Sequence, residues 1–397
     1  MNRRSFLPPQ KLILLLATLL LVLIAASCGP FDSNKQPTGQ SSPTDQQTPA
    51  GSPDSSGLAI RVSGNQLINK NGQPIRLIGV NFPAGVSCVA TGGAAGVFPA
   101  PSPTQAAAAM TNWHINAVRV TLNEDCWLGI NRLNPTYSGN SYRNVIINFI
   151  KLIHSKGMYA IVDLHVNAPG ATAATSQQVM ADADHATDFW RSVATTFKND
   201  PAVIFDAYNE PHIAPDNAQT TNPWQCWRDG CTITALYQGH NQPVAAAASW
   251  QALGMQGLVN AIRSTGATNP IMLGGLNWSQ DLTQFLQYLP SDPQHQLIAS
   301  YHNYRGPRNT EAYWNRVIAP IAEQMPVVTG EFGEKDCQTS FVSQYMNWAD
   351  QHNISYLAWA WWTPTDCRAL GLLSDWDGTP SAYGQVFYDH FRSVNPT

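Results

Sequence analysis

The 397-residue chain carries a net charge of −4, and only 12% of its residues are charged. No basic run follows the first few residues, which argues against nucleic acid as a partner. Thirteen tryptophans and thirteen tyrosines beside so little charge suit an exported protein with a sugar-facing groove, although a large apolar core alone gives similar numbers.

Arg3 and Arg4 open the chain, and Leu12 to Ala26 is an almost unbroken apolar run. The run is short for a membrane span and ends in small residues, so residues 1–27 read as an export signal. Ala25-Ala26-Ser27-Cys28 resembles the lipobox of bacterial lipoproteins, which makes Cys28 the lipidation candidate and a lipid anchor the expectation. Ala25 stands where leucine is commonest, and plain secretion with cleavage near Ser27 is the alternative. Residues 28–57 are Ser, Thr, Pro, Gln, Gly and Asp with almost nothing apolar, so a disordered tether is expected. The remaining span, 58–397, is long enough for one large core without a second low-complexity interruption.

Setting Cys28 aside leaves six cysteines, and an even number in an exported chain favours disulfides. Cys226 and Cys231 are close enough to close a small loop. Cys88 follows the first predicted strand and Cys126 the second, which points to a bridge on one face; Cys337 and Cys367 follow the last two strands in the same way. The ten histidines are scattered, with no zinc-binding spacing, so no metal is expected.

Beyond the tether, Ile60 to Arg76 with its Gly64-Asn65 and Asn71-Gly72 turns predicts a small hairpin closing the bottom of the fold. Eight apolar, β-rich runs follow, near Ile75 to Val80, Ala117 to Leu122, Ala160 to Leu164, Val203 to Tyr208, Pro270 to Gly274, Leu297 to Tyr301, Pro326 to Gly330 and Ser355 to Trp361. Helical patterns lie between them, among them Arg143 to Lys156, Ala186 to Phe197, Ala245 to Ser264, Asn315 to Gln324 and Ser340 to Gln351. That count predicts an α/β fold, a (β/α)8 barrel, with an open eight-stranded sheet as the alternative.

Polar residues gather at the C-terminal ends of these runs, where barrel enzymes carry their chemistry. The second run contains Arg119, the third ends in Asp163-Leu-His165 and the fourth in Asn209-Glu210-Pro211. The sixth ends in Tyr301-His-Asn-Tyr304, the seventh at Glu331 and the eighth in Trp359-Ala-Trp-Trp362. The chain has only six glutamates, so two at strand ends suggest the opposed acid pair that cleaves glycosidic bonds.

In these motifs and their order the chain resembles glycoside hydrolase family 5, over about Ile60 to Phe391. The resemblance implies a retaining endo-β-glycosidase that needs no cofactor, acts on a β-linked polysaccharide, most commonly β-1,4-glucan, and works as a monomer. It implies Glu210 as acid/base and Glu331 as nucleophile, with Arg119 keeping Glu331 ionised and Tyr304 bonding it. Asn209 is expected on the sugar 2-hydroxyl, and His165 and His302 on substrate hydroxyls or the glutamates. One tryptophan of the eighth strand should floor the cleavage point: Trp362 fits the motif best, and Trp361 is the alternative. Trp127, Trp224, Trp227, Trp278 and Trp376 are stacking candidates in predicted loops, with core packing the competing account; Trp278, directly after the fifth strand, is best placed. Asp163 and Asp206, inside strands, read as structural. A β-mannanase, another β-glucanase or an exo-glycosidase on the same scaffold is the alternative, and a non-catalytic glycan-binding surface lipoprotein is the alternative of another class.

Overall fold

The structure is a computed structural model and describes residues 57–86, 88, 102–238, 242–243, 249–364 and 366–395. The export signal, Cys28 and the tether as far as residue 56 lie outside these residues. Eight apolar runs become the parallel strands β1 (Ile78–Phe82), β2 (Ala117–Asn123), β3 (Tyr159–Val166), β4 (Val203–Asp206), β5 (Ile271–Gly274), β6 (Leu297–Tyr304), β7 (Val327–Gly333) and β8 (Ser355–Ala358). They close in sequence order, β8 pairing with β1, which makes a (β/α)8 barrel and rules out the open sheet. Every residue of β2 and of β7 is buried, as expected for strands covered on both faces.

Alternate residues of a strand face opposite ways, and here the two directions differ in chemistry. Val118, Val120 and Leu122 pack outward against the helices. Ala117, Ile161, Ile204, Met272, Ile298, Val328 and Leu357 point inward as an apolar plug beneath the hairpin residues Ile60, Val62 and Leu67. Above that plug the inward positions turn polar, with Arg119, Asp163 and Asp206 all buried. One end of the barrel is therefore sealed and the other carries charge.

Ile60–Ser63 pairs antiparallel with Gln66–Asn69 as expected, and Pro74–Ile75 adds a third strand. The first barrel strand consequently begins three residues later than its apolar run. The eighth stops at Ala358, because Ala360 turns away to exchange backbone bonds with Leu370 and Leu372. The helix expected over 245–264 is only Gly254–Arg263. Gly254 has φ 74° and lies so close to Gly230 that a Cβ would meet its nitrogen at 2.3 Å, so the helix cannot extend backwards. Trp250–Gln251 instead pairs with Thr232–Ile233. The helix expected near Asn315 to Gln324 is present and runs without a break over 311–322, with Trp314–Ile318 wound as a π-helical turn inside it.

Pro103–Asn112 and Gln385–Val394 are helices not anticipated from the pattern. The first starts where Ser102 accepts the Gln105 N–H ahead of Pro103, the ordinary N-terminal signature. All three expected disulfides form: Cys88–Cys126, Cys226–Cys231 and Cys337–Cys367, with Cα separations of 6.1, 5.1 and 5.3 Å.

Candidate active site

The charged layer centres on Arg119, carried in mid-strand on β2 with no exposed surface. Its Nη1 donates to Glu331 Oε1 at 2.9 Å and to Asn81 Oδ1 at 3.0 Å. Its Nε donates to Asp206 Oδ2 at 2.9 Å, and its Nη2 donates to Asn209 Oδ1 at 2.7 Å and lies 3.1 Å from Asp163 Oδ1. Burial opposes the guanidinium charge, but Asp163, Asp206 and Glu331 more than offset it and hold the pKa above the usual arginine value. Desolvation pushes both aspartates upward against the pull of Arg119. Asp163 and Asp206, inside their strands, form the socket that holds the buried Arg119 guanidinium.

Glu331 reaches this cation through an irregularity in β7. Counting by twos from the inward Val328 would aim Gly330 and Phe332 inward. The pairing with β6 instead jumps from Tyr301↔Thr329 to His302↔Glu331, so Gly330 is an extra residue that re-aims the strand. Phe332 then packs outward with Tyr345, Tyr356 and Phe387. A Cβ on Gly330 would meet both His302 Nε2 and Ser300 Oγ at 3.0 Å, which is why glycine occupies the bulge. The second Glu331 oxygen accepts the Tyr304 hydroxyl at 2.7 Å. Burial, with Glu331 and Glu210 nearby, keeps that phenol well above its usual pKa and so protonated.

Glu210 sits just beyond β4 and faces Glu331 across the mouth. His302 Nδ1 is 2.9 Å from Glu210 Oε1 and 3.6 Å from Glu331 Oε2. One oxygen of each glutamate and a His302 nitrogen all lie within 4.8 Å of one another. Burial raises the Glu210 carboxyl to about 7, against opposing pulls from His165 and Arg119 and a hydrogen bond from Gln177. Burial lowers His302 to about 3 and His165 to about 4, so both rings are neutral near pH 7. His165 bonds Asp163 Oδ2 through Nδ1 at 2.7 Å, and its Nε2 lies 3.4 Å from Asn209 Nδ2.

Among the described residues, Glu210, His302 and Glu331 are a donor set that could hold a divalent cation. Arg119 and Tyr304 already occupy both Glu331 oxygens, so a cation there would compete with them. Cys337, Cys367 and Asp366 also cluster, but both sulfurs are committed to a disulfide.

The tryptophans divide sharply. Trp127, Trp224 and Trp227 are buried in the core, and Trp376 is partly buried against it. Trp361 is core as well, with its ring 5.0 Å from Trp113, so it cannot floor the cleft. Trp359, passed over in the sequence reading, stacks on His165 at 5.7 Å and 12°. Trp362 stands edge-on to Trp359, with its Nε1 donating to the Ala369 carbonyl. Trp278 is 44% exposed and lies flat on His212 at 4.8 Å and 6°. Its own N–H donates to Pro211 O at 2.9 Å, which ties it to the Glu210 segment. A groove of about 460 Å³ runs beside it past Asp216, Trp224, Tyr237 and Gln284.

The structure therefore brings Arg119, His165, Asn209, Glu210, His302, Tyr304 and Glu331 together, with Trp278 on the rim. Asn81, Gln177 and Trp359 were missed. Asn81 and Trp359 were visible as polar or aromatic residues at strand ends; Gln177 lies in an irregular loop with no pattern to find it by.

A closed (β/α)8 barrel with two carboxyl groups opposed across its charged mouth has the build of a glycoside hydrolase. The chain belongs to glycosyl hydrolase family 5, the cellulase family, whose sequence model matches residues 68–364. It is 23% identical over 354 residues to a mannan endo-1,4-beta-mannosidase of Cellvibrio japonicus, covering 86% of this chain and 69% of that protein. It is 28% identical over 213 residues to Endoglucanase C of Evansella cellulosilytica, covering 50% of this chain and spanning 22% of that protein. Among solved structures, a beta-glucanase of Saccharophagus degradans superposes with a TM-score of 0.63 at 19% identity, covering 88% of this chain and 98% of that one.

Proposed function

We propose that the chain is a retaining endo-β-glycosidase that cleaves β-1,4-linked glucan, with Glu331 as nucleophile and Glu210 as acid/base. The observation that carries this reading is that an oxygen of one carboxyl lies within 4.8 Å of an oxygen of the other, too close for the two groups to hold a water between them in the inverting manner. Retaining pairs stand about 5–5.5 Å apart, whereas inverting pairs leave about 6.5–9.5 Å for a water. In the first step Glu331 attacks the anomeric carbon while Glu210 passes its proton to the departing glycosidic oxygen. In the second, the Glu210 carboxylate takes a proton from water, whose oxygen displaces Glu331 from the sugar.

The surrounding groups suit these roles. Arg119 and Tyr304 stabilise the Glu331 carboxylate and aim it, and Arg119 supplies the positive charge, so the reaction needs no metal. A carboxyl with a pKa of about 7 holds its proton under mildly acidic conditions and can take one back. Trp359, in place of Trp362, floors the sugar at the cleavage point, next to His165 and Asn209. Trp278 and its adjoining groove receive the leaving-group side of the chain, and a cleft that continues past the cleavage point suits internal cutting. β-1,4-Mannan is the second reading, favoured by the Cellvibrio japonicus relative, which aligns over most of this chain. The apolar N-terminal run and Cys28 support export to the cell surface with a lipid anchor, residues 28–57 acting as tether to a catalytic domain over 58–397.

Product profiling on β-1,4-glucan, β-mannan and xylan, with Glu331→Gln as control, tests the proposal. Short oligomers from one polymer, absent in the control, are the expected result. Binding without products from any polymer would make the protein a glycan binder instead.

A further inference from the structure

Residues 167–185 join β3 to the helix Ala186–Phe197 and form no helix of their own. Their middle docks along the Glu210 segment. Tyr208 Oη donates to Gln178 O at 2.6 Å, Gln177 Nε2 to Glu210 O at 2.8 Å, and His212 N to Val179 O at 3.0 Å. Gln177 is also the acceptor for Asn209, whose Nδ2 donates to its Oε1 at 2.7 Å.

The polarity of this chain of bonds is forced from one end. Arg119 can only donate, so the Asn209 oxygen must face it and the Asn209 amino group must face Gln177. Gln177 then has to present its oxygen to Asn209 and its amino group to the Glu210 carbonyl. The result is one directed path: Glu331 accepts from Arg119, Arg119 donates to Asn209, Asn209 donates to Gln177, and Gln177 donates to the backbone carbonyl of Glu210. Turning either amide over would set donor against donor in a buried place, which costs an unmade hydrogen bond. Gln177 is itself only 8% exposed.

We infer that Gln177 is a positioning residue for the hydrolytic reaction, closing the hydrogen-bonded path that sets Glu210 at its distance from Glu331 and fixes the orientation of the Asn209 amide. The inference rests on the assignment of Glu210 and Glu331 proposed above. Its partner Gln178 serves a different end, since its amide exchanges bonds with the backbone of Tyr237 and anchors the outer loop.

The test is steady-state kinetics and pH profiling of Gln177→Ala, Gln177→Glu and Gln178→Ala on the polymer that the wild type cleaves. Gln177→Ala is expected to lose between about tenfold and a hundredfold in kcat, the cost of misplacing a reacting group, with KM nearly constant. Its alkaline limb should move upward, because Glu210 loses a donor that favours its charged form. Gln177→Glu keeps the acceptor for Asn209 but sets a second carboxyl beside Glu210, so its limb should move further up. Gln178→Ala should lower the melting temperature and leave the limb in place. A Gln177→Ala enzyme with wild-type kcat and an unmoved limb overturns the inference; if that variant does not fold, an unmoved limb in the near-isosteric Gln177→Glu does the same. Failure of the functional assignment would appear in the wild type, as no turnover of any β-glycan, whereas failure of the Gln177 inference appears only in the variants.

Discussion

Tyr304 donates its hydroxyl to Glu331 at 2.7 Å, on the carboxylate oxygen that Arg119 leaves open. Because the phenol stays protonated, this bond persists at every working pH. A hydrogen bond to a charged group contributes about 1.5–3 kcal/mol, so Tyr304→Phe should lower kcat by roughly 10- to 150-fold. The melting temperature should change little, since the ring remains. Wild-type kinetics in this variant would remove Tyr304 from the orientation of Glu331.

The raised Glu210 pKa makes two pH predictions. Under the proposed mechanism the first step needs Glu210 protonated, so kcat/KM should fall above about pH 7. Glu210→Gln should erase that limb and cut polymer turnover by about 10²- to 10⁴-fold, with a smaller loss on aryl glycosides whose leaving groups need no proton. For stability, an acid whose folded pKa is raised contributes fully below its unfolded value of about 4.3. That contribution is lost as pH rises through about 7. Thermal unfolding between pH 4 and 8 should therefore show a smaller decline for Glu210→Gln than for the wild type.

Trp278 offers one free face on the rim, the other being covered by His212. Trp278→Ala should leave folding intact and weaken long substrates selectively. Roughly 60 Å² of sugar face at about 25 cal/mol per Å² is near 1.5 kcal/mol, or about tenfold in kcat/KM. Short aryl glycosides that end at the cleavage point should be unaffected. Equal loss on both substrates would place Trp278 outside the leaving-group path.

The Glu210–His302–Glu331 cluster has a metal-like donor geometry, yet Arg119 and Tyr304 already occupy both Glu331 oxygens. Prolonged EDTA treatment should leave the rate within about twofold of the untreated enzyme, and added Mn²⁺ or Ca²⁺ should not stimulate it, since a bound cation would displace the arginine. Loss of activity that only one metal restores would make the cluster a cation site.

Much of the site was legible because each strand contributes a polar residue where its apolar run ends: His165, Glu210, His302 and Tyr304 stand out this way, and Arg119 interrupts a run outright. Disulfide pairing was equally readable, since Cys88 and Cys126, like Cys337 and Cys367, follow neighbouring strands, while Cys226 and Cys231 share one loop. Strand eight was not. Four aromatic or small residues in a row give no phase. Counting by twos from Leu357, which points into the plug, puts Trp359 and Trp361 on the same side. Only the turn of Ala360 out of the strand leaves Trp359 on His165 and sends Trp361 into the core. Gln177 was illegible for another reason: its loop has no period, and its role exists only through contacts with residues more than thirty positions away.

By itself the sequence determined the barrel, the sealed and charged ends, and the two glutamates, because burial of alternating apolar runs leaves few places for charge. Tertiary structure alone decided which way Glu331 faces. A period of two would have turned it out of the barrel, and the single extra residue at Gly330, a glycine because a Cβ there would crowd His302 and Ser300, turns it in.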